Sequence, residues 1–331
     1  MDRSLALNDL ELAAPRRNDL PDRKLDDAAR AGWLYYVAGN TQEEIAAKLG
    51  VSRQAAQRLV SLAVSLKLVK VRLDHPIARC LDLAKALAER FGLAFTEVVP
   101  TDPASTSTTL GIAEAAAAEM ERWLKSVEPI ILAVGTGRTL QAAVQHLPAM
   151  ECPQHRIVSL TGNVAPDGSS AFYNVIFSMA GAVRARHFPM PLPVIASSRE
   201  ERDLLHQQRT IRSTLALAAQ ANVAFVGIGE FAERAPLLED GFITPAELAA
   251  LRRAGAVGEI LGWAFDRGGA LIEGLTNDRV ATAPIPSPST TRVIGLAKGS
   301  PKQQAIAAAL RGRLIGGLMT DEMTAEALLG R

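Results

Sequence analysis

The sequence predicts an α/β domain on a mainly parallel sheet, preceded by a small all-helical head of the winged helix-turn-helix type. Three observations carry this. Downstream of residue 76, short β-rich runs alternate with alanine-rich helical stretches. Several of those runs end in glycine turns. Between residues 25 and 66 the apolar residues instead recur at helical spacing around two caps and a glycine. A chain of 331 residues is also long for one small domain.

Composition narrows the class. A hydrophobic fraction of 48% with 21% charged residues is that of a globular chain able to bury a large core. The apolar runs are too short to span a bilayer, so no membrane partner is expected. Met1 to Arg30 mixes acids, bases and short apolar stretches and lacks the apolar core of a secretory signal, which predicts a cytoplasmic chain. Cys80 and Cys152 are expected to be reduced and buried, and the five scattered histidines offer no metal site. The net charge is only +1, but its distribution is uneven. From Lys48 to Arg72 there are six cations (Lys48, Arg53, Arg58, Lys67, Lys70, Arg72) and no acid, a local field to which a polyanion responds.

In the head, Leu25, Ala29, Trp33 and Val37 predict a first helix that stops near Gly39-Asn40. Thr41 followed three residues later by Glu44 is a capping-box pattern opening a second, short helix. Gly50 follows where a left-handed turn favours glycine, Ser52 caps a third helix, and Ala55, Leu59, Leu62 and Leu66 mark its expected buried stripe. Small Ala46 sits where the two helices must cross. The third helix leaves Arg53, Gln54, Gln57, Arg58 and Ser61 exposed, side chains suited to base edges and phosphates. Leu68-Val-Lys-Val-Arg-Leu73 alternates as a β-wing would, presenting Lys70 and Arg72. The expected DNA-contacting set is Thr41, Ser52, Arg53, Gln54, Gln57, Arg58, Lys70 and Arg72, with double-stranded DNA as the partner.

The expected division is a flexible segment 1–23, the DNA-binding head 24–75, and an effector and oligomerisation domain 76–331. A helix from Leu81 to Arg90 opens the large domain, and another spans Ile112–Trp123. The predicted strands are Ala94–Val99, Ile130–Val134, Arg156–Leu160, Val194–Ile195, Val223–Ile228, Ala270–Leu271 and Arg292–Leu296. After the second, Gly135-Thr-Gly-Arg-Thr139 places glycines, a guanidinium and hydroxyls at a helix entrance, a ready site for an anion or polar ligand. It is neither a Walker loop nor a complete dinucleotide fingerprint, so no cofactor is expected. Ser159-Leu-Thr-Gly-Asn163 and Val226-Gly-Ile-Gly-Glu230 are further turns of this kind. Together they favour a small polar ligand at the carboxyl ends of the strands.

These motifs, in this order, resemble the SorC family of sugar-responsive transcriptional regulators over residues 25–330. The resemblance also rests on Phe172-Tyr-Asn-Val175, Pro191-Leu-Pro193 and Gly295-Leu-Ala-Lys-Gly-Ser-Pro-Lys302. It implies an effector domain related in fold to sugar-phosphate isomerases and deaminases, a dimer or tetramer, and DNA affinity controlled by a sugar phosphate or polyol. It further implies that Gly135, Thr136, Gly137, Arg138 and Thr139 cradle one end of the effector, with Thr161, Gly162, Asn163 and Asn174 at its middle. Asp266 would accept hydrogen bonds from hydroxyls and Lys302 would neutralise a phosphate; the bland alternatives are a turn residue and a surface charge. Some relatives carry an arginine where Thr161 stands, and its absence here leaves room for a monophosphate or an uncharged polyol. Arg184 and Arg186 could form a polar edge or touch the ligand. The rival reading is a sugar-phosphate isomerase or deaminase carrying a DNA-binding head, for which Glu230 and Asp266 are available carboxylates but nothing pairs them.

Overall fold

Two caps and one glycine shape the head. In the computed structural model, which describes residues 22–66, 68–69, 77–105, 107–165, 168–169 and 173–331, the chain divides into units 1–74 and 75–331. The first unit holds α1 (Asp22–Tyr36), α2 (Gln42–Leu49) and α3 (Arg53–Ser65). Thr41 Oγ1 accepts the Glu44 N–H at 3.3 Å while the Glu44 carboxylate accepts the Thr41 N–H at 2.7 Å, a reciprocal capping box. Gly50 ends α2 at φ 66°, ψ 34°, and Ser52 Oγ accepts the Ala55 N–H at 3.2 Å to start α3.

The buried faces of these helices are rotated from the expected stripes. Ala28 and Ala31 are buried in α1, and Ala56, Val60 and Ala63 in α3, while Trp33 is 55% and Val37 67% exposed. The cause is close packing of the two helices: a Cβ added to Gly32 would lie 2.8 Å from that of Ala63. Small residues therefore face the crossing, and the larger apolar ones fall at its margin. Helix α1 begins at Asp22, inside the segment expected to be flexible. The expected wing residues Lys70 and Arg72 lie outside the described residues, and Leu68 and Val69 belong to no strand.

In the second unit α4 (Ala78–Phe91) precedes β1 (Phe95–Val99), then come α5 (Ile112–Leu124), β2 (Ile131–Val134), α6 (Arg138–His146) and β3 (Arg156–Ser159). Next are α7 (Val175–Val183), β4 (Arg186–Phe188), α8 (Arg199–Gln207), α9 (Arg209–Ala218), β5 (Val223–Gly227) and β6 (Gly229–Glu230). After α10 (Pro236–Glu239) and α11 (Pro245–Arg253) follow β7 (Ala256–Ile260) and β8 (Trp263–Asp266). The chain ends through β9 (Arg292–Leu296), α12 (Gln303–Arg311), β10 (Gly317–Asp321) and α13 (Glu322–Leu329).

Seven of these strands form one sheet in the order β1-β10-β9-β5-β2-β3-β4, parallel at every pairing. Alternate residues feed two apolar layers. Leu132, Val134, Ile157, Phe225 and Ile294 pack with Ile112, Met120, Leu140 and Met179 from α5, α6 and α7. Ala133, Val158, Ala224, Val226 and Val293 pack with Leu83, Leu87, Ile211, Ile306 and Leu328 from the helices on the other face. Both faces are thus covered, as an all-parallel sheet requires. The second sheet is the antiparallel β6-β7-β8, and β7 joins β8 through Leu261-Gly262, both at positive φ (57° and 84°).

Two predicted strands are not strands. Ile195 makes one isolated bridge to Val280, and Leu271 one to Phe265. The unpredicted β4, β7, β8 and β10 lack a clean apolar signal. Strand β10 contains Gly317 and Thr320, and is held by parallel neighbours β1 and β9 on its two sides. Strand β4 is a polar sheet edge, where the Arg186 guanidinium lies 5.5 Å from the Phe188 ring centre and Arg184 pairs with Glu151 at 2.6 Å. Both cysteines are free and buried, and burial pushes the Cys80 thiol up to about 11.

The turn after β3 has no room for a side chain at Gly162, where a Cβ would collide with the Leu192 carbonyl oxygen and lie 2.6 Å from that of Pro193. Gly162→Ala should therefore cost roughly 1–3 kcal/mol through overpacking. Calorimetry should show a melting temperature lower by several degrees; an unchanged value would mean that the 190–193 segment yields freely.

Candidate effector cavity and DNA-facing helix

The strand order reverses between β2 and β5, and a crevice opens there at the carboxyl ends of β2, β3, β5 and β9. It is a cavity of about 780 Å³. Thr136–Thr139, Thr161, Gly227–Glu230 and Lys298 line it from the strand ends, Arg234 and Glu239 to Phe242 from the segment around α10, and Glu259, Leu261 and Gly262 from the β7–β8 hairpin.

The glycine loop is held rather than loose. Thr136 Oγ1 donates to the Tyr173 carbonyl at 2.8 Å. Arg138 Nε donates to the Tyr173 hydroxyl at 3.0 Å, and its Nη2 meets the Glu239 carboxylate at 3.0 Å. The hydrogen bond to Tyr173, aided by that to Glu239, holds the Arg138 guanidinium above its ordinary value. Glu239 also receives Arg234 Nε at 2.6 Å, and these two arginines, Arg234 foremost, hold its carboxyl below the usual range. Gly135 is buried beside the cavity rather than lining it. A Cβ there would lie 3.0 Å from Leu261 Cδ2, so its smallness admits the leucine that walls the pocket.

Lys302 reaches in from the loop before α12, and its Nζ donates to the Ile228 carbonyl at 2.8 Å. Burial pushes its amine down, opposed by the charges of Glu230 and Glu259. Burial likewise pushes the Glu259 carboxyl up, opposed first by the Gly262 N–H, which donates to it at 2.7 Å. Gly229 makes space for this carboxylate, since a Cβ there would run into it. Lys298 is 8% exposed, donating to the Leu110 carbonyl at 3.0 Å and lying 3.8 Å from Asp321.

Of the effector residues expected from sequence, Thr136, Gly137, Arg138, Thr139, Thr161 and Lys302 line this one cavity. Gly162, Asn163 and Asn174 are not among its lining residues; Gly162 packs on 192–193 and Asn174 stands at the entrance of α7. Asp266 sits outside the lining too. Its Oδ1 accepts the N–H groups of Gly268 at 2.8 Å and Ala270 at 3.0 Å, so it closes the turn after β8. Sequence reasoning missed Lys298, Arg234, Glu239, Asp240 and Glu259 as cavity residues. Lys298 lay within a quoted motif, whereas Glu259 sits on a strand that showed no signal.

In the head, Arg53, Gln54, Gln57, Arg58 and Ser61 are all exposed along α3. Arg53 Nε is paired with Glu43 of α2 at 2.8 Å, while the Thr41 and Ser52 hydroxyls serve as caps. A capped helix with such a polar face matches the recognition element of a helix-turn-helix.

The family described as a sugar-binding domain matches residues 75–330. The chain is 34% identical over 304 residues to the erythritol catabolism regulatory protein EryD of Brucella abortus (strain 2308), spanning 92% of this chain and 96% of that protein. It belongs to the SorC family of sugar-binding transcriptional regulators. The transcriptional regulator LsrR of Enterobacter sp. (strain 638) is 33% identical over 316 residues, 91% of this chain and 92% of that one. In fold, the SorC-family architecture is shared with the full-length sorbitol operon regulator SorC of Klebsiella pneumoniae, at TM-score 0.70 and 24% identity over 94% of this chain and 99% of that chain.

A carboxyl raised on folding binds its proton more tightly in the folded state, so its contribution to stability falls as pH rises from the ordinary value of 4.5 through the folded value. Glu259→Gln removes that titration. Thermal melts between about pH 4.5 and 7 should show the variant losing less stability with rising pH than the wild type. Parallel curves would mean that Glu259 ionises without penalty.

Proposed function

We propose that this SorC-family protein regulates a carbohydrate or polyol catabolic operon in the cytoplasm, reading its operator through α3 and binding its effector in the cavity at the β2–β5 reversal. The observation that carries this is the convergence of four strand ends, with their loops, on one crevice that carries charged and hydroxyl side chains. The relatives named for erythritol catabolism and the sorbitol operon support a polyhydroxylated effector. Among the described residues no helix is long and apolar enough to cross a membrane.

The reading is of a binding protein and not an enzyme. Among the described residues Glu239 is engaged by two arginines and Asp266 by its own turn, while Glu230 and Glu259 share the surroundings of Lys302; the relatives, named as transcriptional regulators, support binding rather than turnover. Incubation with sugar phosphates should leave them unchanged, and catalytic turnover would overturn this part. Because one helix-turn-helix reads few base pairs, the protein should act as at least a dimer on a repeated or palindromic site. Light scattering on the full chain should give a dimer or tetramer; a monomer at micromolar concentration would count against it.

Arg58→Ala combined with Gln54→Ala removes two exposed α3 side chains that are not engaged in caps. Loss of a bidentate base contact should weaken specific operator binding by roughly 1–3 kcal/mol. Unchanged affinity in a folded double variant, measured by fluorescence anisotropy, would remove α3 from the interface.

A further inference from the structure

Among the described residues the cavity lining holds four cations, Arg138, Arg234, Lys298 and Lys302, and four carboxylates, Glu230, Glu239, Asp240 and Glu259. Each cation is already engaged. Arg138 and Arg234 share Glu239, Lys298 is beside Asp321, and Lys302 donates to a carbonyl with Glu230 and Glu259 as counter-charges. At the Lys302 end, two carboxylates against one amine leave no excess of positive charge for an anion among the described residues.

Two buried polar atoms on lining residues, by contrast, have no hydrogen-bond partner among the described residues: Thr161 Oγ1, on a residue 2% exposed, and Glu230 Oε2. Buried polar atoms are rarely left unpaired in a native protein, so a ligand that satisfies both is favoured. A hydroxyl both donates and accepts. An ionised carboxylate only accepts, and so does a phosphate dianion. A phosphate placed there could accept a hydrogen bond from the Thr161 hydroxyl but would meet Glu230 with repulsion. A polyol, with several hydroxyls along one chain, can serve both atoms.

We propose that the effector is an uncharged polyol, with hydroxyls bound by Thr161 and Glu230, and that Glu230 and Glu259 beside Lys302 discriminate against its phosphorylated counterpart. This rests on the cavity being the effector site. Lys302 then acts as the positive partner that keeps two carboxylates in an apolar-walled pocket, and its amine is not a free phosphate anchor.

The test is calorimetric titration and thermal shift of the full-length protein with matched pairs: erythritol, ribitol and sorbitol against erythritol 4-phosphate, ribitol 5-phosphate and sorbitol 6-phosphate. At least one free polyol should bind the wild type on the order of tenfold or more tightly than its phosphate, as the loss of one charge-assisted contact would give. Glu230→Gln should narrow or reverse that preference, and Thr161→Val, nearly isosteric, should weaken the free polyol. Tighter binding of a phosphate by wild type, with affinities that still respond to both variants, would overturn the polyol proposal and leave the cavity as the effector site. Binding that neither variant alters would place the effector elsewhere and overturn both readings, whereas no binding by any of the probes at millimolar concentration would overturn the polyol proposal alone. The melting temperatures of the ligand-free variants show whether each is folded.

Discussion

The structure depends on one constraint: both faces of the parallel sheet are buried. Residues one apart along β2, β3 and β5 point into different apolar layers, so Leu132 and Ala133, or Phe225 and Val226, serve opposite sides of the same strand. With helices on both faces, polar function is displaced to the strand ends. The order reversal between β2 and β5 then leaves a gap at the carboxyl ends that no helix fills. Every loop that lines the cavity from below is the continuation of a strand whose register this packing fixes. The antiparallel hairpin adds a wall by a different device. Leu261 is held at φ 57°, which is disfavoured for a leucine, and its buried side chain closes the pocket against Gly135.

Within that crevice electrostatics is a matter of compensation. Burial disfavours the charged form of both Lys302 and Glu259, and each is opposed by the other's charge. Each charge offsets part of the other's burial cost, and Glu230 adds a second negative charge that favours the protonated Lys302. On the opposite wall, Glu239 between two arginines ties the segment around α10 to the glycine loop through Arg138. The same contacts that balance charge hold the loops in place.

What was legible in the sequence follows from this. Strands β2, β3, β5 and β9 are short and nearly continuous in apolar residues, because both sides are buried, and they stand out against the helices. The glycine turns after them border the cavity for the same reason. The head was legible through local chemistry: Thr41 with Glu44, Gly50 and Ser52 need no distant partner to act as caps and turn. What was not legible depends on distant partners. Strand β10 is specified by its two neighbours rather than by its own pattern, and Glu259 enters the site from a hairpin remote in sequence from the glycine loop. Asp266 is a residue that local sequence leaves ambiguous. An aspartate before Arg-Gly-Gly reads equally as a ligand or a turn former, and in the structure its carboxylate accepts two N–H groups of its own turn, outside the cavity lining.

The lysine at 302 carries the widest consequence. Its position at a strand-to-helix junction, beside oriented glycine-loop donors, is that of a phosphate anchor by residue type alone. Specificity, however, is a difference between affinities for alternatives, and it is set by everything around the charge. Here the neighbours are Glu230 and Glu259, and a residue with no side chain, Gly229, is what makes space for the latter. A phosphate approaching Lys302 would have to displace or outweigh two carboxylates, whereas a hydroxyl can bridge the lysine's surroundings without confronting either. The same lysine on the same fold can therefore select opposite effector classes, depending on whether its near neighbours are acids or donors.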